Sequence, residues 1–119
     1  MNAPRRAGTR AESAVVAWLR DHGWPAAERR ALHGSKDLGD VVGIPLVIVE
    51  VKATKAVSPA FVDEMRAEMR NAAADVGVVV VRRRGHPDPG DWLAVTDLAT
   101  FTALLSDAGY GGPTARESA

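Results

Sequence analysis

A carboxylate and an ammonium lie two residues apart within an otherwise apolar stretch near the middle of the chain. Glu50 and Lys52 interrupt the run of residues 46–52, which is rich in valine and isoleucine and therefore predicts a β-strand. On a strand both side chains leave the same face, about 6.6 Å apart along it. Because a buried charge is unfavourable unless it is paired or bound to a metal, two interpretations remain open. The residues form either a structural Glu–Lys pair at the solvent end of the strand or part of a metal site.

The position of Asp40 favours the metal site. Asp40 begins a short apolar run, and a tight turn at residues 43–45 separates this run from residues 46–52. Folding back across that turn brings Asp40 beside Glu50. Two adjacent carboxylates repel each other and have raised pKa values unless a cation lies between them. Mg²⁺ suits this role, because it prefers oxygen ligands from one or two carboxylates together with water and phosphate.

These residues predict the chemistry of phosphate-ester hydrolysis. We expect Asp40 and Glu50 to bind Mg²⁺, for which Mn²⁺ can substitute, and the backbone carbonyl of Val51 to be a further ligand. Lys52 would then orient or deprotonate an attacking water and neutralise the charge that develops on the phosphate.

The elements that must position these residues can be predicted from periodicity and turn residues. Apolar residues spaced by three and four predict a first helix over residues 9–22, which Gly23 and Pro25 end. Ser58 and Pro59 are typical of the start of a second helix, and Asp97 caps a last one. The predicted strands cover residues 28–32, 40–42, 46–52, 76–82 and 92–95.

This order of elements predicts an α/β fold with a mixed β-sheet flanked by helices. The short connections around residues 40–52 favour antiparallel pairing, whereas the helix before residues 76–82 implies a parallel pair. The near-continuous apolar character of residues 76–81 predicts a central strand covered on both sides. We expect one domain over residues 9–110, a flexible basic segment at residues 1–8, and a disordered tail at residues 111–119.

Charge and composition narrow the class of protein. The formal net charge is zero, which by itself argues against a nucleic-acid partner, but basic residues cluster locally and can coexist with an acidic pocket. The chain contains no cysteine, no apolar run near the ~18 residues of a membrane span, and no signal peptide, so we expect a cytoplasmic protein. We expect a basic surface on the side of the pocket that binds DNA phosphates, formed by Arg5, Arg6, Arg10, Arg29, Arg30 and Lys36. The other interpretation is that these side chains are merely solvated.

Taken in order, these features resemble the PD-(D/E)XK nuclease superfamily, which carries an Asp and then Glu-x-Lys on a restriction-endonuclease-like αβββαβ core. The chain is most similar to the archaeal-type Holliday junction resolvases and their phage relatives. Those proteins have a basic N-terminus, a Gly followed four residues later by a Glu, and a Ser before the Asp. The matching residues, within about residues 5–82, are Arg5, Arg6, Gly8, Glu12, Ser35, Asp40, Glu50 and Lys52. Gly39 stands where the superfamily usually has Pro, and Asp37 is a rival for the role of Asp40.

The resemblance implies a Mg²⁺-dependent endonuclease that cuts four-way DNA junctions in recombination and repair, leaving 5′-phosphate and 3′-hydroxyl ends. It implies that Glu12 helps Asp40 and Glu50 to hold the metal and that Ser35 contacts phosphate. A junction needs two matched cuts, so a C2 homodimer of a bacterial or phage protein is expected, with residues 76–81 or the last helix as its interface. The alternatives are another nuclease of the superfamily (repair, restriction-type or exonuclease) and a non-catalytic DNA-binding module.

Glu12 has a second interpretation. The pattern Thr9-x-x-Glu12 matches a helix capping box, in which the Glu side chain bonds back to the backbone of Thr9. In that case Glu12 would have a structural role and no part in binding the metal.

Overall fold

The described part of the chain, residues 3–30 and 39–111 of a computed structural model, has an α/β fold with the predicted order of elements. A short 3₁₀ helix, Pro89–Asp91, precedes the last strand. The other elements are α1 (Ala3–Asp21), β1 (Glu28–Arg29), β2 (Val41–Val42), β3 (Val47–Lys52), α2 (Pro59–Ala72), β4 (Val76–Val81), β5 (Leu93–Val95) and α3 (Leu98–Asp107).

The five strands form one mixed sheet in the order β1-β2-β3-β4-β5. The pairs β1–β2, β2–β3 and β4–β5 are antiparallel, whereas β3 and β4 are parallel. The antiparallel pairing around residues 40–52 and the parallel pair of β3 with β4 are as predicted. In this register Val41 lies opposite Val49, and Glu50 lies opposite Val79. Because β3 and β4 are parallel, their carboxyl ends, at Lys52 and Val81, meet at the same edge of the sheet.

Helices cover both faces of the sheet. On one face α1 packs against a core that includes Val15, Val49 and Val51. On the other face Met65 of α2 packs against Ile48 and β4. Side chains alternate along a strand, so Glu50 and Lys52, like Ile48, lie on the face of β3 that α2 covers.

The first helix begins at Ala3 rather than at Thr9, so the predicted start of this helix is wrong. Alanine and arginine are strong helix formers, and their abundance in this segment lets the helix extend toward the N-terminus. Thr9 therefore lies inside α1 and cannot be its N-cap. The capping-box interpretation of Glu12 is wrong for this reason.

The position of β4 excludes it as a dimer interface. β4 is paired with β3 on one edge and with β5 on the other, and Gly77, Val79 and Val81 are buried against α2. Val78 and Val80, on the other face, pack against the core beneath α1, which confirms that the strand is covered on both sides. Of the two interfaces expected from the sequence, only α3 remains accessible.

The predicted tail at residues 111–119 lies outside the described residues except for Gly111. Within residues 3–30 and 39–111, no helix is both long enough and apolar enough to cross a membrane.

Candidate functional site

The backbone holds the carboxylate of Asp40 against β3. The amide of Asp40 donates to the carbonyl of Val49 at 2.9 Å, which continues the pairing of β2 with β3. Asp40 Oδ2 then accepts a hydrogen bond from the amide of Val51 at 2.7 Å. Val51 is the residue between Glu50 and Lys52, so the three polar residues that the sequence singled out lie together at the end of β3.

Gly39 explains how Asp40 reaches this position. Its φ of 94° lies in the left-handed region that glycine adopts readily and that proline, with φ fixed near −65°, cannot adopt. A Cβ atom on Gly39 would lie 3.3 Å from both Ile48 Cγ2 and the Val49 carbonyl oxygen. Glycine at position 39 therefore has a local cause, because the chain approaches β3 with a positive φ and a closeness that glycine provides.

Glu50 and Lys52 differ in burial, although they share a face of β3. Glu50 is 4% exposed. The ammonium of Lys52 lies at the solvent side, where Nζ donates to Glu64 Oε1 at 2.9 Å and sits 5.0 Å from the centre of the Phe61 ring. Both contacts come from the first turns of α2, and together they hold the Lys52 side chain along the helix.

The charges around Lys52 keep it protonated. Partial burial acts to lower the pKa of Lys52. The hydrogen bond and charge of Glu64, followed by the charges of Glu50 and Asp40, outweigh this effect and raise the pKa of the ammonium above its ordinary value. Lys52 is therefore a cation at neutral pH, and the negative charge of both Asp40 and Glu50 is felt at its position.

Glu50 belongs to a group of three carboxylates that includes two residues of α2. One oxygen from each of Glu50, Glu64 and Glu68 lies within 4.8 Å of the other two. Glu68 is only 2% exposed, so two of the three carboxylates are buried side by side. Like charges in such a position repel each other, and burial adds a desolvation penalty. Hard oxygen donors in this arrangement suit Mg²⁺ or Mn²⁺. A bound cation would offset both the repulsion between the carboxylates and their desolvation penalty.

Sequence reasoning missed Glu64 and Glu68. Phe61, Met65 and Ala72 are spaced as an apolar face of the second helix, and Glu68 falls on the same face because it lies three residues after Met65. A glutamate on an apolar helix face is unusual, and this signal in the sequence could have identified Glu68. Glu64 is exposed, and its contact with Lys52 depends on how α2 docks on the sheet, which the spacing of residues does not show.

The structure does not bring Glu12 into the carboxylate group. Glu12 lies on α1, and its Oε1 accepts from Arg29 Nε at 3.1 Å. This ion pair links α1 to β1 at the edge of the sheet. Arg30, the next residue, is closer to the site, because its amide donates to the carbonyl of Asp40 at 2.9 Å.

The other residues that the sequence analysis singled out lie partly on α1 and partly outside the described residues. Arg5, Arg6 and Arg10 are exposed residues in the N-terminal half of α1. Ser35, Lys36 and the rival acid Asp37 lie outside the described residues.

Comparisons of this chain with protein-family models, with curated proteins and with solved structures find no match.

Proposed function

We propose that this protein is a Mg²⁺-dependent DNA endonuclease of the PD-(D/E)XK type. The observation that carries the proposal is the hydrogen bond from the Val51 amide to Asp40, which sets this carboxylate beside the buried Glu50 and the ammonium of Lys52. A structural Glu50–Lys52 pair would not account for the position of Asp40 against β3. Lys52 also pairs with the exposed Glu64 of α2.

The order of elements supports a restriction-endonuclease-like core. Residues from α1 to β4 follow the order αβββαβ, and β5 and α3 are appended to it. The resemblance of the sequence to archaeal-type and phage Holliday junction resolvases makes a four-way DNA junction, processed inside the cell during recombination or repair, the proposed substrate.

Asp40 and Glu50 would hold the metal, with the carbonyl of Val51 as a backbone ligand. A bound Mg²⁺ would polarise the scissile phosphate and lower the pKa of a bound water. Lys52 would orient that water and neutralise charge on the phosphate, and Glu64 positions Lys52 through the contact at 2.9 Å. The Asp40 hydrogen bond fixes one ligand before substrate arrives, which reduces the reorganisation needed for reaction.

A cleavage assay with three labelled DNA substrates tests the proposal. A four-way junction, a flap and a linear duplex of the same sequence are incubated with the protein with and without Mg²⁺. We expect Mg²⁺-dependent nicks at symmetric positions in the junction, with 5′-phosphate ends, and little cutting of the duplex. Equal cutting of junction and duplex would favour another nuclease of the superfamily. Binding without cleavage of any substrate would favour a non-catalytic DNA-binding module.

Glu12 stays a proposed helper of the metal, and one substitution separates this role from its ion pair with Arg29. If Glu12 acts on the metal through water, Glu12→Gln should slow cleavage about 10- to 100-fold, as loss of an outer-shell partner does. Glu28→Gln, which removes a nearby exposed carboxylate of β1, is the matched control and should cleave normally. Normal cleavage by Glu12→Gln would leave Glu12 with only the structural role of linking α1 to β1.

We also propose that the protein acts as a C2 homodimer through α3. The exposed fractions of Leu98, Phe101 and Leu104 are 75%, 49% and 41%, and their spacing places them along one side of the helix. Two symmetric copies of this side would supply the paired sites that a junction requires. Light scattering should give a dimer mass for the wild type and a monomer mass for Phe101→Glu. A monomeric wild type would exclude this interface.

A further inference from the structure

A cleft of about 600 Å³ lies beside α1 at the carboxyl end of β4. Its cationic walls are formed by Arg10 of α1 and by three consecutive arginines that follow β4. Ala11 and Trp92 provide apolar lining between these walls. We call this feature the arginine cleft and define it by Arg10, Arg82, Arg83 and Arg84.

The arginine cleft brings four positively charged side chains together. Within residues 3–30 and 39–111, none of its four arginines forms an ion pair with a carboxylate. Arg83 Nη1 donates to the carbonyl of Asp91 at 3.0 Å, a contact with a neutral group that leaves the guanidinium charge in place. Four like charges along one cleft repel each other, so an anion bound between them relieves this repulsion.

The loop that carries the arginines is built by its own hydrogen bonds. The amide of His86 donates to the carbonyl of Arg83, and the indole Nε1 of Trp92 donates to the carbonyl of His86 at 2.7 Å. Asp88 Oδ1 accepts from the amide of Gly90 at 2.9 Å and caps the 3₁₀ helix. The arginines therefore project from an ordered framework, which lowers the entropy cost of binding a ligand.

The arginine cleft and the carboxylate pocket share one end of the sheet. The amide of Arg82 donates to the carbonyl of Lys52 at 2.9 Å, so the two strand ends are joined directly. Arg10, Ala11 and Ala14 place the cleft on the α1 side of the sheet, whereas Glu50 and Lys52 face α2. A phosphodiester backbone that leaves the pocket would therefore pass over this end of the sheet to enter the cleft.

We propose that the arginine cleft binds the phosphodiester backbone of DNA next to the cleaved bond. That the bound polyanion is DNA rests on the proposed function. The residues that bind it are Arg82, Arg83 and Arg84 together with Arg10 of α1. Arginine pairs well with phosphate oxygens because its planar guanidinium offers two parallel donors. The apolar lining between the arginines suits the less polar sugar faces of the backbone.

Binding without cleavage tests the arginine cleft. Anisotropy of a labelled four-way junction and a labelled linear duplex is measured in EDTA at several salt concentrations. Arg10→Glu with Arg84→Glu should weaken binding at low salt by about tenfold or more. It should also lower the log–log salt slope by about 0.9 for each duplex phosphate that the protein no longer neutralises. Arg70→Glu, at the exposed end of α2 on the other face of the sheet, is the matched control and should bind as the wild type does.

Each outcome decides a separate question. Unchanged affinity and slope for the double variant, in folded protein, would overturn the cleft as a DNA site, while Mg²⁺-dependent cutting by the wild type would leave the proposed function standing. Weakened binding by the double variant, together with a wild type that never cuts DNA, would support the cleft and contradict the nuclease. An equally weakened Arg70→Glu variant would mean that overall charge governs binding and would overturn the cleft.

If the double variant does not fold, Arg10→Gln with Arg84→Gln gives the same comparison with a smaller change of charge. Tighter binding of RNA than of DNA would overturn the assignment to DNA.

Discussion

Glu50→Gln is expected to abolish cleavage and to leave the fold intact. Glutamine keeps the size of the side chain but removes the negative charge that the metal requires. Loss of about 4 kcal/mol of transition-state stabilisation corresponds to a rate about 10³-fold lower. The measurement is the single-turnover rate of junction cleavage in Mg²⁺. Asp63→Asn, which removes an exposed carboxylate of α2 outside the group of three, is the matched control and should cut normally.

The same variant should separate the metal site from a structural role in thermal unfolding. Glu50 lies beside the buried Glu68, so removing one of the two charges should not destabilise the metal-free protein and should relieve repulsion. In the wild type, Mg²⁺ at about 100 times its dissociation constant should stabilise the fold by about 2.7 kcal/mol. That stabilisation should disappear in Glu50→Gln. A wild-type rate of cleavage by Glu50→Gln would remove Glu50 from the active site.

Lys52→Ala is expected to lose cleavage while it keeps DNA binding. Removing a single group that stabilises charge in the transition state costs about 10²- to 10³-fold in rate. Affinity for DNA should change little, because one lysine is a small part of the basic surface. Single-turnover cleavage and anisotropy in EDTA measure the two effects separately. Lys55→Ala, an exposed lysine in the loop before α2, is the matched control.

The structure also limits the effect of Lys52→Ala on stability. The side chains of Lys52 and Glu64 are 23% and 46% exposed, and ion pairs of this kind contribute about 0–1 kcal/mol. The variant should therefore fold, and circular dichroism and thermal unfolding check this. Failure to fold would mean that Lys52 has a mainly structural role, as expected if Glu50 and Lys52 form only a structural pair at the end of the strand.

The contact between Asp40 and β3 could be predicted from sequence because it is local. A short turn joins two apolar runs, and an antiparallel pair across such a turn leaves few registers. The register found, with Val41 opposite Val49, is one that places Asp40 at Val51. The fold class followed from the same reasoning, because the α2 segment between β3 and β4 requires a crossover and a parallel pair.

Features that depend on packing between distant elements could not be predicted in this way. The predicted start of α1 is wrong because Thr9 and Glu12 match a capping pattern, whereas the arginine- and alanine-rich residues before them continue the helix. The arginine cleft combines Arg10 with arginines that follow β4, and only the docking of α1 on the sheet brings them together. The contact between Glu64 and Lys52 depends in the same way on the docking of α2.

The most direct test of the central claim is the metal dependence of cleavage by the wild-type protein. A four-way junction labelled at one 5′ end is incubated with excess protein in EDTA, in Ca²⁺ and in Mg²⁺, and the products are separated on a denaturing gel. We expect full-length DNA in EDTA and Ca²⁺, and discrete cuts in Mg²⁺ that Glu50→Gln does not make. Intact junction in Mg²⁺ and in Mn²⁺, with protein shown to bind it, or cutting that persists in EDTA, would contradict a metal-dependent nuclease built on Asp40, Glu50 and Lys52.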